Sequence, residues 1–244
     1  MVAKWGQVYA EALKLICQHA FPRAEVEACS SGKATLATLR ARPADLVLLT
    51  LTFSDYDGID LLQAVIEENL SAKVLLGCRR RDEHCLHSLR NARFDGILDT
   101  LHENLDTMLE ALETVACGRA YVSPAFRDIV VDRIVPSSLW QKLTAAEIKV
   151  LKIIGDGSDD QEAAAVLALS AATVQTHRRN IMRKLGVTSS AKLVRESIRL
   201  GIVRITDHGR IIRPGFTGQL GREADAHHPG KPGCASRFLP TGSQ

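Results

Sequence analysis

The sequence has no apolar run long enough to cross a membrane and no secretion signal. Its longest apolar stretch, from Leu46 to Leu51, is far shorter than the ~20 residues that a spanning helix requires. The amino-terminal stretch MVAKWGQVYAEALK lacks the apolar core of a signal peptide. These absences argue against a membrane-spanning or secreted protein, and we expect a cytoplasmic protein without membrane contact.

Closely paired cysteines, of the kind that hold zinc or exchange disulfides, are also missing. The six cysteines include no CxxC pair, which fits reduced thiols in a reducing compartment. Cys78, His84, Cys85 and His87 are near one another in the sequence, but their spacing does not match zinc-ligand patterns. No grouping of nucleophile, base and orienting residue emerges either. We therefore expect no metal, no cofactor and no enzymatic activity.

The chain is long enough for two domains, and its charge is divided between them. It has 244 residues, of which 45% are hydrophobic and 24% charged, as in soluble globular proteins. Residues 1–118 hold 12 basic against 17 acidic residues, while residues 138–205 hold 11 against 6. The basic excess of the second part is compatible with nucleic-acid binding but does not establish it, because solvated helices also carry Lys and Arg.

Strands and helices alternate through the first part of the chain. The stretch DLVLLTL is a continuous apolar strand of the kind that is buried on both faces of a parallel sheet. KVLLG and GIL are further strands, and helical patterns cover residues 58–69, 82–91 and 105–116. This alternation predicts an α/β domain with a doubly wound, flavodoxin-like sheet, whose chemistry would sit at the carboxyl ends of the strands.

Breaker residues divide the chain into four predicted segments. The α/β domain covers residues 1–118, and a linker with Pro124 and Pro136 covers residues 119–137. An all-α domain of four helices follows over residues 138–205. The tail, residues 206–244, is rich in Gly and Pro without periodicity, and we expect it to be disordered.

The all-α domain contains a helix-turn-helix pattern. Thr144 and Glu147 form a predicted capping box at the start of the first helix, and Ser170 separates a short second helix from a basic third helix, 173–185. In such a motif the later helix enters the major groove of double-stranded DNA.

One face of the third helix is predicted to bind DNA. Val174, His177, Ile181 and Leu185 recur at helical spacing and should face the core. Gln, Arg and Thr side chains on the opposite face can meet adenine, guanine and the thymine methyl, while flanking Arg and Lys suit phosphates. The helix contains no acidic residue, which disfavours a merely solvated face. The predicted DNA-binding residues are Thr173, Gln175, Thr176, Arg178, Arg179, Arg183 and Lys184.

These residues carry a resemblance to a known family. Residues 143–203 resemble, without gaps, the DNA-binding domain of LuxR/NarL (FixJ)-type response regulators. The resemblance implies a homodimer formed near the fourth helix, through Leu193, Val194 and Ser197. Asp159 and Asp160 stand where the family commonly has Ser-Asn, and Ala172 where it commonly has Lys. Both departures should weaken phosphate binding.

Residues 8–118 resemble the receiver domain that precedes this DNA-binding domain. The phosphoacceptor Asp of the family falls on Thr50, its acidic pair on Lys4 and Trp5, and its switch Thr/Ser on Cys78. Its Lys falls on Thr100, or on Asp99 one residue earlier. Phosphotransfer needs a carboxylate nucleophile and Mg²⁺ held by further carboxylates, so this pattern predicts a degenerate receiver.

Nearby aspartates and the chain start are the remaining irregular features. Asp55, Asp57 and Asp60 are expected to cap loops and the following helix rather than to accept a phosphoryl group. Only MVA precedes the position of the lost acidic pair, so the first strand is largely missing. Three explanations stay open: a native start upstream, imperfect pairing by residues 1–8, or a domain that is only partly stable.

Together these patterns predict a sequence-specific DNA-binding transcription regulator of the two-component type that acts independently of phosphorylation. The alternative is an adaptor that binds a protein partner through the receiver-like domain, with weak or vestigial DNA binding.

Overall fold

A parallel sheet flanked by helices forms the first domain. The structure is a computed structural model that describes residues 1–4, 6–130, 142–206, 209 and 211–213. The strands are β1 (Val2–Ala3), β2 (Ala28–Cys29), β3 (Ala44–Thr50), β4 (Ser71–Cys78), β5 (Gly96–Asp99) and β6 (Tyr121–Val122). Their spatial order is β2-β1-β3-β4-β5-β6, and every pairing is parallel. The predicted doubly wound α/β fold is confirmed.

Helices cover both faces of this sheet. They are α1 (Gln7–Ala20), α2 (Gly32–Ala41), α3 (Gly58–Glu67), α4 (Glu83–Asn91) and α5 (Leu105–Ala116). Side chains alternate along each strand, so Leu49 and Leu76 pack with α2, α3 and α4, whereas Leu48 and Leu75 pack with α1 and α5. β3 and β4 are therefore buried on both faces, as their continuous apolar sequences indicate.

The first strand is only two residues long, yet it pairs on both sides. Val2 and Ala3 lie in register with Ala28 and Cys29 of β2 and with Leu48 and Leu49 of β3. The amino group of Met1 donates a hydrogen bond of 2.8 Å to the Leu46 carbonyl. The prediction of a greatly shortened strand is confirmed, and its residues still join β2 to the rest of the sheet.

The sheet extends beyond the predicted end of the domain at Gly118. β6 pairs with β5 at Tyr121 and Val122, and a 3-10 turn over Pro124–Phe126 leads into α6 (Arg127–Val130). Phe126 is completely buried in the core of the α/β domain. The boundary at 118 is therefore too early, because the start of the predicted linker is part of the fold. Residues 131–141 of that linker lie outside the described residues.

The second domain packs helices around a separate core. They are α7 (Ala145–Ile154), α8 (Asp160–Leu167), α9 (Ala171–Leu185) and α10 (Ser190–Arg199). The predicted capping box is present, since the Thr144 side chain accepts from the Glu147 amide and the Glu147 carboxylate accepts from the Thr144 amide. α8 begins at Asp160, because the Asp159 side chain caps it by accepting from the Gln161 and Glu162 amides.

A short antiparallel pair follows α10. β7 (Arg204–Ile205) pairs with β8 (Ile211–Ile212), and Ile212 is buried. The adjacent Arg213 forms an ion pair with Asp156. The prediction of a disordered tail from residue 206 is therefore wrong for residues 211–213. Residues 214–244 lie outside the described residues. In the described part of the chain, helices long and apolar enough to span a membrane are absent.

Candidate nucleic-acid interface

The recognition helix of the predicted motif, α9, is held by one buried stripe. Ser170 caps it by accepting from the Thr173 amide, and Gly186 ends it with a φ of 69°. Val174 and Ile181 are completely buried in the core of the helical domain, and Leu185 packs against that core. His177 is half-buried. The helix is thereby fixed in rotation, which determines the residues that face outward.

The outward face of α9 carries amide, hydroxyl and guanidinium groups. Gln175, Thr176, Arg179 and Arg183 are exposed, as is Thr173 at the start of the helix. Thr176 donates to the Ala172 carbonyl and Arg183 to the Asn180 side chain, so both are oriented without being buried. Among the described residues, none of the receiver-like domain buries these side chains, which remain exposed.

Two of the predicted phosphate contacts, Arg178 and Lys184, form ion pairs within the protein. Arg178 donates to the Asp160 carboxylate at 2.7 Å and to the Ser158 carbonyl at 2.8 Å. Lys184 donates to the Glu147 carboxylate at 2.7 Å, and Glu147 is only 4% exposed. These residues thus connect α9 to the elements beneath it. Their spacing on the helix could not distinguish this role from phosphate binding.

The predicted dimerisation residues do not form one surface. Leu193 and Ser197 are completely buried, with Leu193 in the core and the Ser197 hydroxyl donating to the Leu193 carbonyl. Val194 is half-buried. Leu193 and Ser197 are thus packed within this chain, and the dimerisation role of the three residues stays a prediction. The larger exposed side chains of α10 are Lys192, Arg195, Ile198 and Arg199, with Ser190 and Ala191 exposed at its start.

The carboxyl edge of the sheet shows how the receiver-like site is built. Thr50 ends β3, is 5% exposed, and donates its hydroxyl to the Ala3 carbonyl at 3.1 Å. Lys4 follows β1 on one side, where burial and the charge of Arg79 lower its pKa. Within the described residues no group of three or more His, Cys, Asp or Glu side chains could hold a metal ion.

A buried carboxylate, Asp99, ends β5 at the same edge. Arg81 donates to it at 3.0 Å, and the His102 ring nitrogen lies 2.9 Å away. Burial raises the pKa of Asp99, but the hydrogen bonds from His102 and the Leu101 amide, with the Arg81 charge, bring it below the usual value. This carboxylate is thus occupied by its neighbours.

The aspartates after β3 have structural partners. Asp55 accepts from the Ser31 hydroxyl and from the Gly32 and Lys33 amides, at the start of α2. Asp57 caps α3 by accepting from the Ile59 amide at 2.8 Å. Asp60 lies in the first turn of α3. The positions of Asp55 and Asp57 agree with the predicted capping roles.

Asp57 also joins the two domains. It is completely buried, with Arg80 at 3.5 Å and Arg204 of the helical domain at 3.0 Å. Burial raises the pKa of Asp57, but the Arg80 and Arg204 charges outweigh burial and lower it. The His84 amide donates to the Leu200 carbonyl at 3.0 Å across the same contact. Sequence reasoning missed this contact, since 147 positions separate Asp57 from Arg204 and no local pattern links them.

Comparisons with known proteins find similar sequences among bacterial response regulators. Residues 141–197 match the family described as bacterial regulatory proteins, luxR family. A nitrate/nitrite response regulator protein homolog of Haemophilus influenzae is 30% identical over 162 residues, spanning 66% of this chain and 76% of the relative. The transcriptional regulatory protein UhpA of Escherichia coli is 31% identical over 165 residues, spanning 68% of this chain and 80% of the relative. The crystal structure of the response regulator ChrA, from a heme-sensing two-component system, is 25% identical, covers 81% of this chain and 94% of its own, and has a TM-score of 0.44.

Proposed function

The chain belongs to the luxR family of bacterial regulatory proteins, as a transcription regulator of the response-regulator type, and we propose that it reads specific DNA sequences through α9. The supporting observation is the exposed face of Gln175, Thr176, Arg179 and Arg183 on a helix without acidic residues. Gln and Arg side chains make paired hydrogen bonds to adenine and guanine in the major groove. We further propose that it acts as a homodimer through the exposed face of α10, because paired half-sites require two copies of the reading helix.

Footprinting on genomic fragments selected by the purified protein tests this proposal. We expect protection of a pseudo-palindromic site that Arg179→Ala abolishes. Arg23→Ala is the matched control, since it removes the same charge from an exposed position in the α/β domain. Equal loss of binding in both variants would indicate a general charge effect, and binding by Arg179→Ala as strong as that of the parent would contradict reading by α9.

We also propose that the receiver-like domain works without phosphorylation. The position of the phosphoacceptor holds Thr50, a buried hydroxyl directed at the Ala3 carbonyl, and a hydroxyl without an adjacent base is a poor nucleophile. Lys4, a cation, stands at the neighbouring strand end. Acetyl phosphate should leave the protein unlabelled, and a stoichiometric phosphoryl group on residues 50–60 would contradict the proposal.

An adaptor role is the second candidate. A groove of about 530 Å³ between α3 and α4 is lined by Ile59, Leu62, Ile66 and His87, and would suit a protein partner. In addition, Asp160 neutralises Arg178 at the predicted DNA interface. Salt-sensitive, site-specific DNA binding distinguishes the two roles, because an adaptor with a vestigial motif would show none.

A further inference from the structure

Two cysteine thiols face each other at the end of an inner strand. Cys78 is the last residue of β4, and Cys85 lies in the first turn of α4. Their sulfur atoms are 4.0 Å apart, and both side chains are completely buried. A disulfide needs a sulfur separation of about 2.05 Å, so an approach of about 2 Å would join them. The two thiols are therefore preplaced as a pair.

The surroundings favour ionisation of one thiol of the pair. A hydrogen bond from Cys85, together with a backbone hydrogen bond at Arg80 and the charges of Arg81 and Arg80, lowers the pKa of Cys78 despite its burial. The hydrogen bond to Cys78, with burial, raises the pKa of Cys85. Nearby cations and a helix amino terminus are the settings in which thiolates form and react. Cys78 is thus the nucleophile, and Cys85 is the partner that holds the proton.

The same segment touches the DNA-binding domain. Asp82 caps α4 by accepting from the Cys85 amide at 2.9 Å, and its carboxylate lies against Gly201 of the helical domain. His84, which directly precedes Cys85, donates its amide to the Leu200 carbonyl at 3.0 Å. Arg80 bridges Asp82 and Asp57. A movement of the first turn of α4 would therefore shift the residues that contact the helical domain.

We propose that Cys78 and Cys85 form a reversible disulfide on reaction with a hydroperoxide, and that this bond alters the contact between the receiver-like and DNA-binding domains. β4 is held between β3 and β5, so the closing movement falls on α4. The reagent must be small, because both sulfurs are completely buried and must be exposed by local opening, for which residues 79–82, outside any helix or strand, are the adjacent segment.

The chemistry balances in two steps. The Cys78 thiolate attacks one oxygen of hydrogen peroxide, the O–O bond breaks, and the departing hydroxide takes up a proton as water, leaving a sulfenic acid. The Cys85 sulfur then attacks the Cys78 sulfur, an S–S bond forms, and the hydroxyl leaves as water with the Cys85 proton. Two thiols lose two electrons, and one peroxide becomes two waters. A thiol reductant of the reducing compartment reverses the change.

Peptide mapping tests the bond. Trypsin cuts after Lys73, Arg79, Arg81 and Arg90, so Cys78 and Cys85 fall on separate peptides, 74–79 and 82–90. After peroxide treatment of the full chain we expect these peptides linked, with the loss of two hydrogens, and separated again by a thiol reductant. Cys117→Ser is the matched control and keeps the link. Cys85→Ala abolishes it and leaves a sulfenic acid on Cys78 that a 1,3-dicarbonyl reagent traps.

Recovery of both peptides unlinked, under conditions that oxidise the exposed Cys117, would overturn the proposed bond.

A second experiment tests the coupling to the domain contact by measuring hydrogen exchange in peptides that cover 82–90 and 196–203. We expect several-fold faster exchange in the oxidised parent and no change in peroxide-treated Cys85→Ala. A linked pair with unchanged exchange would overturn the coupling to the domain contact. Neither arm involves DNA, so the outcome is separate from the proposed DNA-binding function.

Discussion

The guanidinium of Arg204 donates a hydrogen bond of 3.0 Å to the completely buried carboxylate of Asp57. Asp57 caps α3 in the receiver-like domain, whereas Arg204 begins β7, directly after the helices of the DNA-binding domain. One carboxylate therefore stabilises a helix start and also fixes the second domain against the first.

Replacing Asp57 should destabilise the whole chain. Asp57→Ala removes the cap of α3 and the carboxylate partner of Arg204, while Arg80 keeps only Asp82. Breaking a buried ion pair by removing one partner costs about 3–5 kcal/mol. Denaturant unfolding of the full chain measures this loss. Asp45→Asn, at an exposed position, is the control and should change stability by less than about 0.5 kcal/mol. A small effect in both variants would mean that the pair contributes nothing.

The free energy of unfolding of the chain should decrease as the pH is lowered, because His84 is buried. Burial lowers the pKa of His84 from 6.5 to about 4. Between pH 6.5 and about 4, His84 is protonated in the unfolded chain but stays neutral in the folded chain. The free energy of unfolding therefore decreases over this range, by about 3 kcal/mol in all. Asp57, with a lowered pKa, loses its contribution only at still lower pH.

The test of this pH dependence is a series of unfolding curves between pH 7 and pH 4. His84→Gln should flatten the decrease, since it removes the group that takes up the proton. His19→Gln, an exposed position on α1, should keep the slope of the parent. A slope unchanged by His84→Gln would assign the pH dependence to other groups.

Lys184 should matter for folding more than for DNA affinity. Its ammonium is 2.7 Å from the Glu147 carboxylate, where burial raises the pKa of Glu147 but Lys184 and the Thr144 hydrogen bonds lower it. Lys184→Ala should cost about 1–2 kcal/mol of unfolding free energy. It should leave the salt dependence of DNA binding unchanged, whereas Arg183→Ala, at an exposed position, should reduce it. A reduced salt slope in Lys184→Ala would restore its predicted phosphate contact.

Removing the carboxylate of Asp160 should strengthen DNA binding. Asp160 holds Arg178 at 2.7 Å, and its loss would free that guanidinium and remove a negative charge near the duplex. For Asp160→Asn we expect tighter binding, with the slope of log affinity against log salt steeper by about 0.9. Asp106→Asn, at an exposed position in α5, controls for net charge. Equal gains in both variants would contradict a local effect.

Restoring a carboxylate at Thr50 should not restore phosphoryl transfer. Thr50→Asp supplies a nucleophile, but Mg²⁺ needs further carboxylates, and Lys4 lies at the adjacent strand end. We expect no labelling by acetyl phosphate and a lower stability, because the site is 5% exposed. Thr50→Val measures the loss of stability that comes from removing the hydroxyl hydrogen bond to the Ala3 carbonyl alone, without a buried charge. An acyl phosphate on Thr50→Asp would show that the remaining residues suffice.

Local signals in the sequence account for the elements that were predicted well. The capping box of Thr144 and Glu147 and the buried stripe of Val174 and Ile181 depend on residues a few positions apart, so their spacing specifies the structure. β6 was missed because two residues, Tyr121 and Val122, are too few for an alternating pattern to be recognised.

Contacts between distant residues could not be predicted in this way. Arg178 and Lys184 lie on the polar side of α9, and only the positions of Asp160 and Glu147 in space show that both side chains are already paired. Leu193 is similar, because its role depends on which side of α10 meets the core. The identity of a basic or apolar residue thus indicates what it can do, whereas its neighbours in space determine what it does.

The pairing of β7 with β8 has a practical consequence for anyone who isolates the DNA-binding domain. A truncated protein that stops at Ile205, the predicted end of the helical domain, would lose the strand partner of Arg204 and Ile205, the buried Ile212 and the ion pair between Arg213 and Asp156. The fragment to express therefore extends at least to Arg213.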